Sequence, residues 1–189
     1  ATGVLAAALD PEQPYASEVA KVVCDYDLWK HEDKRSGMLG IVTSGSANLR
    51  FIRDKLYQGI IIDDEIAAIY TRIETEKNAC IRKSIRRASV IEGKYRIAIM
   101  PCYGYPSETA AETRKQLNTE IELLVFDNGK FSLRSVPAIS HLIAREFNGG
   151  GHPNASGGTF TYKFKEKFFF KFFHKVSGKA AFLAATEKY

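Results

Sequence analysis

Three stretches of this chain carry residue types whose spacing suits chemistry. The first is Phe147-Asn148-Gly149-Gly150-Gly151-His152-Pro153-Asn154-Ala155-Ser156. One glycine is enough to end a helix. Three in a row let a backbone approach a ligand closely and turn several N–H groups toward an anion. His152 can then donate to a phosphate or sugar oxygen, and Asn154 can add a second contact. The second stretch is Phe131-Ser132-Leu133-Arg134-Ser135. Strand alternation puts Ser132 and Arg134 on one face, where a guanidinium can grip a phosphate in two-pronged fashion or sit at a solvated strand end. The third is Cys24-Asp25-Tyr26-Asp27-Leu28-Trp29-Lys30-His31-Glu32-Asp33. If it is extended, Asp25 and Asp27 share a face, and with a nearby imidazole such as His31 they suit Mn²⁺ or Mg²⁺. The alternative is a charged loop with Trp29 anchored in the core.

Other chemistries find no carrier. The sequence has no G-x-S-x-G elbow and no G-x-x-x-x-G-K-[ST] phosphate loop. Cys24, Cys80 and Cys102 are odd in number and form no C-x-x-C pair, which argues against a disulfide framework and a structural zinc, and for a reducing cytoplasm. No apolar run reaches a membrane span, and the N-terminal residues make a poor signal peptide. A net charge of +5 permits a polyanionic partner without requiring one. At 189 residues and 45% hydrophobic content, the chain can bury a core.

The pattern predicts the elements that must position these residues. Lys21–Cys24 reads as a short buried strand followed by a charged loop. From Gly59 the spacing becomes helical: Asp63 can cap, and Ile66, Ile69, Tyr70, Ile73, Cys80, Ile81 and Ile85 form a stripe broken only by Lys77. Arg82, Lys83, Arg86 and Arg87 gather at its C-terminal end, where they complement the helix dipole or face RNA. Tyr95 to Met100 alternates as a strand. Ser107 can cap a helix ending near Leu117. Ile121–Phe126 and Phe131–Arg134 are strands joined by a tight turn at Asn128-Gly129. Pro137 suits the first turn of a helix that the glycines end. A strand over Thr159–Phe164 and a helical region from Lys165 to about Lys188 close the chain. The class is α/β, with a mixed sheet flanked by helices and preceded by a long helix.

FNGGGHPNASG resembles the signature of the DHHA1 domain, the C-terminal half of DHH-superfamily phosphoesterases. SLRS one helix upstream fits the same pattern, and the resemblance covers residues 91–189. VVCDYDLWKHED resembles the last aspartate motif of the partner domain in the oligoribonuclease (nano-RNase-like) branch, and the helix from Asp63 resembles the interdomain linker. The resemblance implies three parts: residues 1–58 as a remnant of the N-terminal DHH domain, 59–90 as the linker helix, and 91–189 as a DHHA1 substrate-binding domain. In that family a manganese-activated water attacks phosphorus in the N-terminal domain. Carried over, Asp25, with Asp27 as fallback, would be a metal ligand. Arg134, Gly149, Gly150, Gly151, His152 and Asn154 would hold the phosphate or the neighbouring nucleotide.

The Asp-His-His triplet itself is absent from the chain. The resemblance therefore implies the C-terminal portion of a longer phosphodiesterase acting on short oligonucleotides. By itself this portion is expected to be inactive and not to retain Mn²⁺ or Mg²⁺. Its expected partners are short single-stranded RNA or DNA, or a nucleotide phosphate, and the DHH domain of the same protein. No membrane is among them, and a homodimer is compatible. The alternatives are a non-catalytic RNA-binding module of the kind attached to alanyl-tRNA synthetases, and a phosphatase acting on 3′-phosphonucleotides or polyphosphate.

Overall fold

The computed structural model describes residues 4, 8, 14–28, 30 and 32–189, which fall into two compact units, Ala1–Glu76 and Lys77–Tyr189. Trp29 and His31 lie outside the described residues, so the metal role of His31 and the core role of Trp29 are not addressed by the fold.

The first unit is helical. α1 spans Pro14–Asp27, α2 Lys34–Thr43 and α3 Leu49–Tyr57, and α4 begins at Asp64 and runs to Ile85. Lys21–Cys24 is therefore helix and not strand. Tyr15, Val19, Val22 and Tyr26 recur at helical spacing across a window longer than the Val22-Val23 pair that suggested extension. Val22 packs with Leu39, Val42, Ile52, Ile61 and Ile66 in one core. Asp33 caps α2 by accepting from the Arg35 backbone at 2.9 Å. Asp63 caps α4 as expected, accepting from Ile66 N at 2.9 Å.

The second unit is built on a six-stranded mixed sheet in the order β1-β2-β3-β4-β6-β5, which bears out the expected α/β class. Its strands are β1 (Ser89–Ile91), β2 (Ile97–Pro101), β3 (Ile121–Val125), β4 (Lys130–Ser135), β5 (Gly150–His152) and β6 (Ala155–Thr159). β2 and β3 are parallel, joined across α5 (Pro106–Leu117), and the other pairs are antiparallel. β3 is buried on both faces, so its run reads apolar throughout except for Glu122. One face carries Ile97, Ile99, Ile121, Leu123, Val125, Phe131 and Leu133. These pack with Ile143 of α6 (Ser140–Arg145), Phe170 of α7 (Phe164–Phe173) and Phe182 of α8 (Lys179–Thr186). The other face carries Ala98, Met100 and Leu124 against Ala110 of α5. Glu122 is fully buried there, held by Arg114 Nε at 3.1 Å, by Arg114 Nη2, and by the Thr119 hydroxyl at 2.7 Å.

Several boundaries depart from the sequence pattern. β1 was not anticipated, because three residues carry too little periodicity. Ser107 lies inside α5, whose cap is Tyr105, and Pro137 precedes α6 in a turn where Ile139 N bonds Pro137 O at 2.8 Å. The closing helical region is two helices, parted by His174 (φ 55°) and Gly178 (φ 91°). No helix among the described residues is long and apolar enough to cross a membrane.

Candidate functional site

The glycine run is not a loop. The chain leaves α6 through Asn148, which takes the left-handed conformation (φ 53°), and Gly150–His152 then forms an edge strand paired with β6. Two of the three glycines have structural reasons. A Cβ on Gly149 would fall 2.0 Å from Gly157 O. Gly151 has φ +143°, and its Cβ would meet Ala155 O at 2.6 Å. Gly150 has neither constraint: it is exposed, and nothing lies within 4 Å of its would-be side chain.

The hairpin that follows is fixed by polar ties. The Asn154 side-chain amide donates to Ser135 O at 2.9 Å and Val136 O at 2.8 Å. The buried Ser140 hydroxyl donates to His152 O and Pro153 O, while Ser156 Oγ donates to Ser140 O. The donors of Asn154 are thus committed to the fold. The backbone of His152 is held, and its side chain is exposed.

Register brings the two basic residues of interest onto one face. Glu122 faces Arg134, Arg134 faces Ala155, and Ala155 faces His152. Residues opposite one another across antiparallel strands share a face, so Arg134 and His152 stand about 10 Å apart, two strand spacings, over Ala155. The next row is Ser132, Gly157 and Gly150. The floor between the two basic side chains therefore holds nothing larger than a methyl or hydroxymethyl group. Arg134 Nη1 donates to Ser132 Oγ (2.9 Å) and Leu133 O (3.0 Å), and Nη2 to Ser107 Oγ in the first turn of α5 (3.0 Å). These bonds orient the guanidinium and leave part of its fan of N–H donors uncommitted. Sequence reasoning paired Ser132 with Arg134 but missed Ser107, which the pattern had marked as a cap. It also missed Ser140, whose role depends on a hairpin more than ten residues away.

Asp25 belongs to the first unit. Because α1 is helical, it does not share a face with Asp27: Asp25 is buried and Asp27 exposed. Asp25 accepts from Ser36 Oγ at 2.5 Å, Glu32 N at 3.0 Å and Asp33 N at 3.3 Å. The Ser36 hydroxyl, helped against burial by the two backbone donors, holds its carboxyl below the ordinary value. Both of its oxygens thus serve to pin the turn that leads into α2. Among the described residues, no three His, Cys, Asp or Glu side chains converge on a point where an ion could sit.

No family model and no curated protein matches the chain. Among solved structures it is similar to an exopolyphosphatase-related protein from Bacteroides fragilis, with 23% identity and a TM-score of 0.46, over 75% of this chain and 43% of that one. It is also similar to a pGpG-specific phosphodiesterase from Vibrio cholerae, with 10% identity and a TM-score of 0.46, over 69% of this chain and 45% of that one. A third is the DHH domain of a member of the S1p family of ribosomal proteins, with 14% identity and a TM-score of 0.41, over 92% of this chain and 41% of that one. The chain spans less than half the length of each.

Proposed function

We propose that this chain is the substrate-binding portion of a DHH-family phosphodiesterase that acts on short oligonucleotides, and that the face carrying Arg134, Gly150 and His152 receives a phosphate and its nucleotide. The observation that supports the reading most is the register that sets Arg134 and His152 on one face across a floor of Ala155, Gly157 and Gly150. A backbone phosphate fits that arrangement. The guanidinium offers paired donors, the imidazole offers one more, and the side-chain-free floor lets the ligand lie close to the sheet. Gly149 and Gly151 shape the strand, and Asn154 ties the hairpin so that His152 is presented without further ordering. Manganese, when bound by the whole protein, would supply the activated water; the residues of this chain hold and orient the phosphate. Asp25 is the residue of the first unit that would join that centre, and doing so would require exchange of its present donors.

The reading is tested by fluorescence anisotropy with a labelled diribonucleotide at low salt. A charge-assisted contact contributes about 1.5–3 kcal/mol, so Arg134→Ala is expected to weaken binding by roughly 10- to 100-fold. Arg134→Lys should not restore it, because the two-pronged geometry is lost. Unchanged affinity in an Arg134→Ala/His152→Ala protein that melts normally would end the proposal. Incubated alone with Mn²⁺ and the dinucleotide, the chain is expected to show no cleavage.

A further inference from the structure

A second cluster of basic side chains lies elsewhere in the same unit, around a cleft of about 660 Å³. Cys102 and Phe126, in its floor, directly follow β2 and β3, so the cleft opens at the carboxyl ends of the parallel pair. That is where open α/β sheets most often leave a crevice for ligands. Lys83 of α4 stands on one side, and Lys167 and Lys171 stand four residues apart on α7. Like charges at that spacing destabilise a helix unless something offsets them. Asp127, in the β3–β4 turn, is the one carboxylate among the described residues that line the cleft.

Inside the cleft Tyr103 and His174 form a pair. The Tyr103 hydroxyl and His174 Nδ1 are 2.7 Å apart, and the rings meet edge to face at 5.7 Å. Lys83 Nζ sits 4.1 Å from the centre of the Tyr103 ring, and the Arg87 guanidinium sits 5.8 Å from it. Burial, and then the charges of Arg87 and Lys83, push His174 below the usual imidazole value. Lys83, Lys167 and Lys171 line the cleft and the Arg87 guanidinium stands beside Tyr103, so the positive charge there exceeds that of Asp127 and forms a field that an anion would satisfy. Phe126, half-buried, offers apolar surface beside it, suited to a flat ring.

We propose that this cleft binds a nucleoside monophosphate, with the phosphate between Lys83, Lys167 and Lys171 and the base against the half-buried Phe126. None of Arg134, Gly150 and His152 lines it, and the inference does not depend on the proposed function. The volume falls in the range of small-molecule sites.

Isothermal titration with AMP, adenosine and inorganic phosphate tests it, in an Arg134→Ala/His152→Ala background so that the other face contributes nothing. AMP should bind at one site, more tightly than phosphate, and adenosine should not bind. Lys83→Ala combined with Lys171→Ala should weaken AMP at least ~10-fold. Lys83→Gln is a milder second variant that should weaken it in the same direction. By NMR, saturating AMP should raise the titration midpoint of His174, because a bound dianion favours the imidazolium. AMP affinity indifferent to both lysine variants, phosphate binding as tightly as AMP, or a His174 midpoint unmoved by AMP would each overturn the proposal. None of these results would bear on the face with Arg134 and His152.

Discussion

Gly150 separates folding from binding at a single position. Its neighbours have no such freedom: Gly151→Ala places a side chain at φ +143° and is expected to destabilise by roughly 1–3 kcal/mol. Gly150→Val meets open space and should leave the melting temperature unchanged while weakening dinucleotide binding several-fold. Paired thermal melts and anisotropy titrations read both effects. A melting loss at Gly150 would mean that the strand, and not a ligand, requires the glycine. The buried Glu122 gives a contrasting case. Arg114→Ala leaves its carboxylate in the core with only Thr119 to bond it, and should cost about 3 kcal/mol. Glu122→Gln in the same background should recover part of the loss in a urea titration.

Elements were legible in the sequence where the signal was local. The Asn128-Gly129 turn needs only its own residues: Gly129 takes φ 86°, and Asn128 Oδ1 accepts from Lys130 N. The long stripe of α4 averaged over many residues, and so survived the break at Lys77. The face with Arg134 was half legible, because Ser132 alternates with it in one strand, whereas the approach of His152 needed the register of three strands. α1 was misread because two adjacent valines outweighed a spacing visible only over twelve residues. That error carried the reading of Asp25 and Asp27 with it. The corrected environment predicts a pH effect. The carboxyl of Asp25 titrates lower folded than unfolded, so its stabilisation is present at neutral pH and is lost as pH falls below the ordinary aspartate value and through the folded one. Ser36→Ala removes the largest cause of that depression. Urea midpoints measured from neutral to acid pH should then fall less steeply in the variant than in the parent.

Across the whole chain, the excess of 27 Lys and Arg over 22 Asp and Glu matters through screening. If two basic contacts neutralise phosphates of a short single strand, the logarithm of affinity should fall with the logarithm of salt with a slope of about 1.4 in magnitude. Arg134→Ala should reduce that slope by about 0.7. A slope near zero in the parent would mean that the positive charge takes no part in recognition. The second unit should be stiffest where β3 sits between β2 and β4, with Leu123, Leu124 and Val125 sealed from solvent. Amide exchange is expected to be slowest there and fastest at the exposed Gly150–His152 edge.

The unequal demands on three successive glycines also predict how this gene would drift. In a library selected only for soluble expression, codons 149 and 151 should remain fixed while codon 150 fills with almost any residue. If the same library is selected for growth that needs the whole protein, codon 150 should narrow too, and the difference between the two spectra would measure what the ligand asks of the chain.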